Sequence, residues 1–466
     1  MRRSPFVPLL LLAALPAGAG AQAAPRAPDV RISYVEETLP NGLKVLYHAD
    51  HSTPVAAVDV WYNVGSKHEQ PGKTGFAHLF EHVMFKGSRD VADGQHYVLL
   101  ESAGGRAGAD INGTTFFDRT NYFEQVPSNM LDLALWLEAD RMGTLLETLT
   151  TEKLDNQREV VKNERRSSVD NQPYGVWQEH MLTKVFPAGH PYFHTVIGSM
   201  DDLGAASLDD VKQFFRTYYA PNNAVLVVSG DFELPAAKQM VRNRFGWIPR
   251  GPAPPPLRDA SLPARIGSSP REVIEDAAAP APRVYVGYRV PGARGAAGPA
   301  VNLLATMLDG KTSPLFDALV RRQGIATAVS VGNFGLLDGG DLLIVNATGK
   351  AGASADSLER ALLGELDRVA AAALTQPALD RAKAQARMQF VDALQRTGGF
   401  GGVADQLAEG WTYYRDPSHV NRVLPESDAV TLAQVRTLAA ERLAPDNRAV
   451  LVFVPKPATP APQVTR

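Results

Sequence analysis

The sequence predicts an α+β protein made from one domain used twice, and three observations carry that prediction. Ser207-Leu208-Asp209-Asp210-Val211, running on to Ala220-Pro221-Asn222-Asn223-Ala224-Val225-Leu226-Val227-Val228, recurs 224 residues later without a gap. The second copy is Thr431-Leu432-Ala433-Gln434-Val435, running on to Ala444-Pro445-Asp446-Asn447-Arg448-Ala449-Val450-Leu451-Val452. Each half also mixes strand-like and helix-like stretches, the combination expected of α+β domains. Between the halves lies Pro249-Arg250-Gly251-Pro252-Ala253-Pro254-Pro255-Pro256 and a polar stretch to about Pro270, stiff and extended in character and unable to build a core.

The elements follow in chain order. Arg2 and Arg3, an apolar run from Phe6 to Leu15, and small residues at Ala19-Gly20-Ala21 or Ala21-Gln22-Ala23 form an export signal. Pro16 ends that run short of the roughly 20 residues that span a bilayer, so a cleaved signal over 1–23 is expected rather than an anchor. No later stretch is long and apolar enough to cross a membrane, so no stable membrane insertion is expected and the periplasm is the expected compartment. The chain has no cysteine, which leaves no disulfides and no lipid-modified cysteine. Its 466 residues, 45% hydrophobic, are enough to hold cores without them. A net charge of −3 with no basic block excludes nucleic acid as the expected partner.

Strands are expected over Leu43 to Tyr47, Ala56 to Tyr62, Arg283 to Tyr288 and Leu342 to Val345. Helices are expected over Leu131 to Leu146 and Ser357 to Ala371. Each repeated segment reads as a Ser or Thr cap, a helix, an Ala-Pro turn and a buried apolar strand. The expected division is a signal at 1–23, a first domain over 30–248, a linker over 249–270, a homologous second domain over 271–456 and a tail at 457–466.

His78-Leu79-Phe80-Glu81-His82 is the chemical centre of the sequence. On a helix, imidazoles at i and i+4 share one face about one turn apart, where both can bind a single Zn²⁺. The alternative is a pair of helix histidines satisfied by hydrogen bonds. Aligning Phe85-Lys86-Gly87-Ser88 with Leu308-Asp309-Gly310-Lys311 sets Val301, Leu304 and Ala305 opposite His78, Glu81 and His82, so only the first half keeps metal-binding side chains. A hydrolytic zinc site takes three protein ligands and leaves a position for water. The third is expected on the helical stretch Glu152 to Asp170. At 100° per residue Glu164 lies about 60° from Val161, on the face shared with Leu154, whereas Glu152 and Glu159 lie nearly opposite and read as solvated charges.

These residues carry a resemblance. His78 to His82 followed by Val83-Met84-Phe85-Lys86-Gly87 resembles the inverted zinc motif of the pitrilysin, insulin-degrading enzyme and mitochondrial processing peptidase family. Gln157-Arg158-Glu159-Val160-Val161-Lys162-Asn163-Glu164 resembles that family's second signature, whose final Glu is the third ligand. The resemblance implies two homologous α/β-sandwich domains arranged as a clamshell, one Zn²⁺ per chain on His78, His82 and Glu164, and hydrolysis of peptides or unfolded segments. Glu81 then serves as general base, taking a proton from a water that zinc acidifies to a pKa of about 7. Gly104-Gly105 to Ile111-Asn112-Gly113-Thr114-Thr115 resembles the edge strand that holds the family's substrate, which makes Asn112, Gly113, Thr114 and Thr115 the substrate-binding candidates. A hairpin turn at Asn112-Gly113 is the alternative there.

Two departures stand out. Gln157 occupies a position where many members carry Glu, and Gln cannot act as a base. Single-chain relatives carry an Arg and a Tyr seven residues apart in the second half, where this chain has Val320 and Thr327, with Arg321 and Arg322 beside them. Relatives that split the work between two chains imply a homologous partner subunit supplying that Arg/Tyr pair. The alternative function is a non-catalytic structural or assembly subunit of the same family; zinc held for stability alone is weaker, since structural sites are usually four-coordinate and favour Cys. His190-Pro191-Tyr192-Phe193-His194 is expected as a turn, because Pro191 spoils a helical ligand pair. Gly332 to Gly340 is expected as a loop.

Overall fold

A computed structural model describes residues 30–371 and 374–456; the expected signal at 1–23 and the tail at 457–466 lie outside the described residues. Among the described residues eleven strands run β1 (Val35–Thr38), β2 (Lys44–Ala49), β3 (Val55–Tyr62), β4 (Ile111–Thr115), β5 (Thr120–Pro127), β6 (Ala224–Gly230), β7 (Arg271–Asp276), β8 (Arg283–Val290), β9 (Ala326–Asn333), β10 (Asp341–Gly349) and β11 (Arg448–Pro455). They form a six-stranded sheet of order β1-β2-β6-β3-β5-β4 and a five-stranded sheet of order β7-β11-β8-β10-β9. Removing β1 leaves the same order in both. The parallel pairs β2 with β6 and β7 with β11 stand at equivalent places in otherwise antiparallel sheets.

The repeat is visible atom by atom. Ser207 and Thr431 cap the helices Leu208–Tyr218 and Leu432–Arg442, each with a reciprocal capping box to Asp210 or Gln434. After the Pro turn, Asn223 Nδ2 donates to the Tyr218 carbonyl at 2.8 Å and to that of Asn63 at 3.2 Å. Asn447 Nδ2 does the same to Arg442 at 2.7 Å and Arg289 at 2.8 Å. In both copies one buried amide ties the helix end to the neighbouring strand of its sheet.

Strand side chains alternate between two faces, and in β3 nearly every residue is buried. Val58, Val60 and Tyr62 face the first half's own helices, including Phe76–Val83 and Leu131–Thr148. Ala57 and Trp61 face the other way, onto Val403, Leu407 and Ala408 of the helix Val403–Tyr414, which belongs to the second half. The exchange is mutual. Leu342, Leu451 and Phe453 of the second sheet pack on Met181, Leu182 and Val185 of the first-half helix Trp177–Val185. Gly287 of β8 makes that approach possible, since a Cβ there would stand 2.4 Å from Met181 Sδ. The α+β halves thus close like clamshell valves, each lending a helix to the other's outer sheet face.

Residues 249–270 contain no helix or strand. They are nonetheless pinned: Arg258 donates to the Glu69 carbonyl at 2.9 Å and to that of Gly189 at 3.3 Å. Among the described residues, no helix is long and apolar enough to cross a membrane.

Candidate functional site

The helix Phe76–Val83 presents Phe76, Leu79, Phe80 and Val83 to the core and leaves His78, Glu81 and His82 on its partly open side. Its N-cap, Gly75, has φ 88 and no side chain to cap with. Glu69 replaces the cap from the preceding loop. Its buried carboxylate accepts the Gly75 and Ala77 N–H groups at 2.8 Å each, satisfying first-turn donors beside the residue that starts the motif. The sequence offered no signal for this, because Glu69 stands among polar residues and reads as solvated.

Glu164 comes from the last turn of the helix Thr151–Arg165, whose Leu154, Gln157 and Val161 are buried. Its Oε2 lies 3.2 Å from His82 Nε2 and its Oε1 lies 3.7 Å from His78 Nε2. Tetrahedral zinc with bonds of about 2.0–2.1 Å needs ligand atoms roughly 3.3 Å apart, so two imidazoles and one carboxylate here suit that ion. Burial lowers the His78 pKa, which favours the neutral, lone-pair form that a metal needs. The hydrogen bond with His82 holds the Glu164 carboxyl below its usual range. His78 and His82 side chains are 12% and 21% exposed against 41% for Glu164, so the cluster opens on the Glu164 side. Glu152 and Glu159 are exposed, and Glu159 pairs with Lys162. Gln157 is buried and donates to Asn156 Oδ1 at 2.7 Å.

Glu81 turns from the imidazoles toward β4, where Thr115 Oγ1 donates to its Oε2 at 2.7 Å. Asn112-Gly113 lies inside β4 rather than at a turn; the chain reverses at Phe116 to Arg119, where the Phe116 N–H donates to the Arg119 carbonyl at 2.9 Å. That register, with Thr114 opposite Asn121 and Asn112 opposite Phe123, directs the Asn112 and Thr114 backbone groups to β5. Gly113 and Thr115 direct theirs to the free edge. Asn112 folds its side-chain oxygen onto the Gly113 N–H at 2.9 Å, and Arg119 holds the Thr114 carbonyl at 2.9 Å. Gly113 leaves room for the facing helix, since a Cβ there would be 3.1 Å from Glu81 Cγ. A cavity of about 450 Å³ opens over His78, Glu81 and Glu164, walled by Thr115, Val169 and Gly175.

Other sequence candidates lie elsewhere. Val320 sits in a π-helical turn, Asp317–Arg322, partly buried against the second core. Thr327 is on β9 with its hydroxyl on the Thr348 carbonyl at 3.2 Å. Arg321 and Arg322 both lean on Asp317. His190 to His194 forms a turn in which the Tyr192 hydroxyl donates to Asp118 at 2.6 Å. A second cluster, His96, Glu124 and Glu138, is fully buried and already holds a cation: Arg141 lies 3.0 Å from Glu124 and against Glu138, below the Tyr122 ring.

The insulinase (peptidase family M16) pattern matches residues 44–195, and the peptidase M16 inactive domain pattern matches residues 205–386. The zinc protease PqqE of Helicobacter pylori is 30% identical over 381 residues, covering 80% of this chain and 83% of that one. The probable mitochondrial-processing peptidase subunit beta of Arabidopsis thaliana is 26% identical over 54% of this chain and 45% of its own length. The crystal structure of a protease from Helicobacter pylori superposes with a TM-score of 0.83 at 27% identity, covering 91% of this chain and all of that one. Fold and matches together define a protease class with a duplicated α+β build. The chain belongs to peptidase family M16, the insulinase family.

Proposed function

We propose that this chain is a zinc-dependent endopeptidase acting on peptides or unfolded protein segments. The supporting observation is the convergence of His78 Nε2, His82 Nε2 and the Glu164 carboxylate beside a Glu81 that faces the same cavity. His78, His82 and Glu164 hold one Zn²⁺, which when bound supplies Lewis acidity and lowers the pKa of water. Glu81, aimed by Thr115, accepts the proton of the attacking water and passes it to the leaving amine. The Gly113 carbonyl and the Thr115 backbone on the free edge pair with an extended substrate, and Asn112 and Thr114 brace that edge.

In this reading residues 30–248 bear the chemistry and residues 271–456 are the partner domain without ligands. A homologous subunit supplies the Arg/Tyr pair in place of Val320 and Thr327, and the chain works in the periplasm. Losing such an oxyanion donor costs about 10²–10³ in rate, so hydrolysis by the chain alone is expected to be slow. The test is metal analysis and peptide hydrolysis, with and without a co-encoded homologue, for the wild type and Glu81→Gln. The variant should keep one zinc per chain and lose hydrolysis. Full activity in zinc-loaded Glu81→Gln overturns the reading.

A further inference from the structure

Tyr174 is a non-glycine residue in left-handed backbone, at φ 64, and is 3% exposed. Such a conformation persists only where surroundings fix it. Asp276, Ala281, Arg283 and Phe453 of the second half anchor it. The Tyr174 N–H donates to Asp276 Oδ2 at 2.6 Å, and its hydroxyl donates to the Ala281 carbonyl at 2.8 Å. The Arg283 guanidinium lies over its ring at 3.8 Å, and Phe453 meets the ring edge-on at 5.8 Å. Three residues on, Trp177 stacks on Tyr285 with ring planes 3° apart.

The path from Tyr174 back to Glu164 is short and bonded throughout. The helix Thr151–Arg165 passes without a break into the π-helical turn Arg166–Asp170, a feature frequent at functional sites. Ser167 and Ser168 hydroxyls donate to the Glu164 carbonyl at 3.0 and 2.7 Å. The Gln172 N–H donates to Val169 at 3.1 Å and the Gly175 N–H to Gln172 at 3.0 Å. The fold-back is tight enough that a Cβ on Gly175 would stand 1.9 Å from the Val169 carbonyl oxygen. Ser168, Val169 and Gly175 line the same cavity as Glu164.

We infer that Tyr174 is a positioning residue through which the ligand-free second half sets the place of Glu164 and of the Val169–Gly175 cavity wall. The inference rests on the reading of Glu164 as a zinc ligand. It gives the second half a role in metal binding although Val301, Leu304 and Ala305 have replaced its own motif. Asp276, Ala281 and Arg283 are the grip, Tyr174 the part gripped, and the 166–175 turn the connection to the carboxylate.

The experiment measures zinc affinity by chelator competition on the full chain, well below its melting temperature, for Tyr174→Ala, Tyr174→Phe and Asp276→Ala. Leu366→Ala, in the second core far along the chain from the grip, reports general destabilisation. Loss of a group that orients a ligand typically weakens metal binding about 10–100-fold, so Tyr174→Ala and Asp276→Ala should fall in that range. Tyr174→Phe, which keeps the ring and the backbone bond, should stay within about threefold, and Leu366→Ala should bind as the wild type does despite a lower melting temperature. If Tyr174→Ala does not fold, Asp276→Ala decides alone. Wild-type affinity in the decisive variant, or an equal loss in Leu366→Ala, overturns the inference. Glu164→Ala keeps the two failures apart: unchanged zinc affinity there refutes the ligand assignment itself.

Discussion

Thr115 Oγ1 donates to Glu81 Oε2 at 2.7 Å, the only hydrogen bond to that carboxylate among the described residues. In the proposed mechanism the edge strand and the base are therefore one unit, since the residue that offers its backbone along the free edge of β4 also aims the proton acceptor. General-base catalysis contributes about 10²–10⁴ in rate when geometry is right. Thr115→Val should therefore lower kcat about tenfold, with zinc content unchanged and KM within about twofold. Thr115→Ser, which keeps the hydroxyl, should restore most of the rate. Steady-state kinetics on a fluorogenic peptide decides, and a Thr115→Val enzyme with wild-type kcat refutes the pairing.

Lys67 joins the two halves. Its ammonium, 6% exposed, lies 2.8 Å from Asp118 of the first half and 2.8 Å from Asp338 of the second. Tyr192 closes the same node by donating to Asp118 and accepting the Leu337 and Asp338 N–H groups at 3.2 and 3.1 Å. Removing one partner of a buried ion pair costs about 3–5 kcal/mol, because the other charge stays buried. Lys67→Met should thus lose about 3 kcal/mol of stability in urea titration, and Lys67→Met with Asp118→Asn should recover part of it. A double variant no more stable than the single one counts against the node.

The sequence made the repeat legible because it reuses residues with fixed local meaning: Ser207 and Thr431 as caps, Pro221 and Pro445 at the turns, Asn223 and Asn447 behind them. The convergence of His78, His82 and Glu164 was legible for the same reason, helical periodicity being local. Long-range placement was not. β3, apolar but for Asp59, announces that both its faces are covered but not that Val403–Tyr414 covers one of them. Asn112-Gly113 carries the strongest short hairpin signal, yet pairing with β5 and the nearby helix keep it inside a strand. Glu69 and Tyr174 carry no local mark at all, since each takes its role from segments remote in sequence or from the loop's final path.

Glu409 gives a pH dependence. It is half-buried in the wall of a second-half cavity beside Arg294 and Tyr413, without a hydrogen bond or ion pair among the described residues. Desolvation first, and then the Asp405 charge, push its carboxyl up to about 7. Between about pH 4.5 and 7 the folded chain keeps a proton that the unfolded chain has released. Stability from this group therefore falls as pH rises through that window, and the penalty is fully present above it. Glu409→Gln should be more stable than the wild type at pH 8, by up to about 3 kcal/mol, and no more stable at pH 4.5. Melting temperatures at the two pH values test this, and an equal difference at both refutes it.

On the proposed reading zinc should stabilise the fold, and the residues proposed to hold it can be separated from the one proposed to use it. His78, His82 and Glu164 bring ligand atoms to one place from two helices, so an ion binding there links the helices in the folded chain and not in the unfolded one. A ligand at 100 times its Kd adds about 2.7 kcal/mol, which for a chain of this size raises the melting temperature by a few degrees, roughly 2–4 °C per kcal/mol or less. Chelation should lower the wild-type melting temperature by that amount. In His82→Ala the chelator should have little effect, because two remaining ligands hold the ion weakly. Glu81→Gln should respond as the wild type does, since Glu81 spends its hydrogen bond on Thr115 and none on a ligand. A Glu81→Gln protein indifferent to the chelator would show instead that Glu81 belongs to the ligand set.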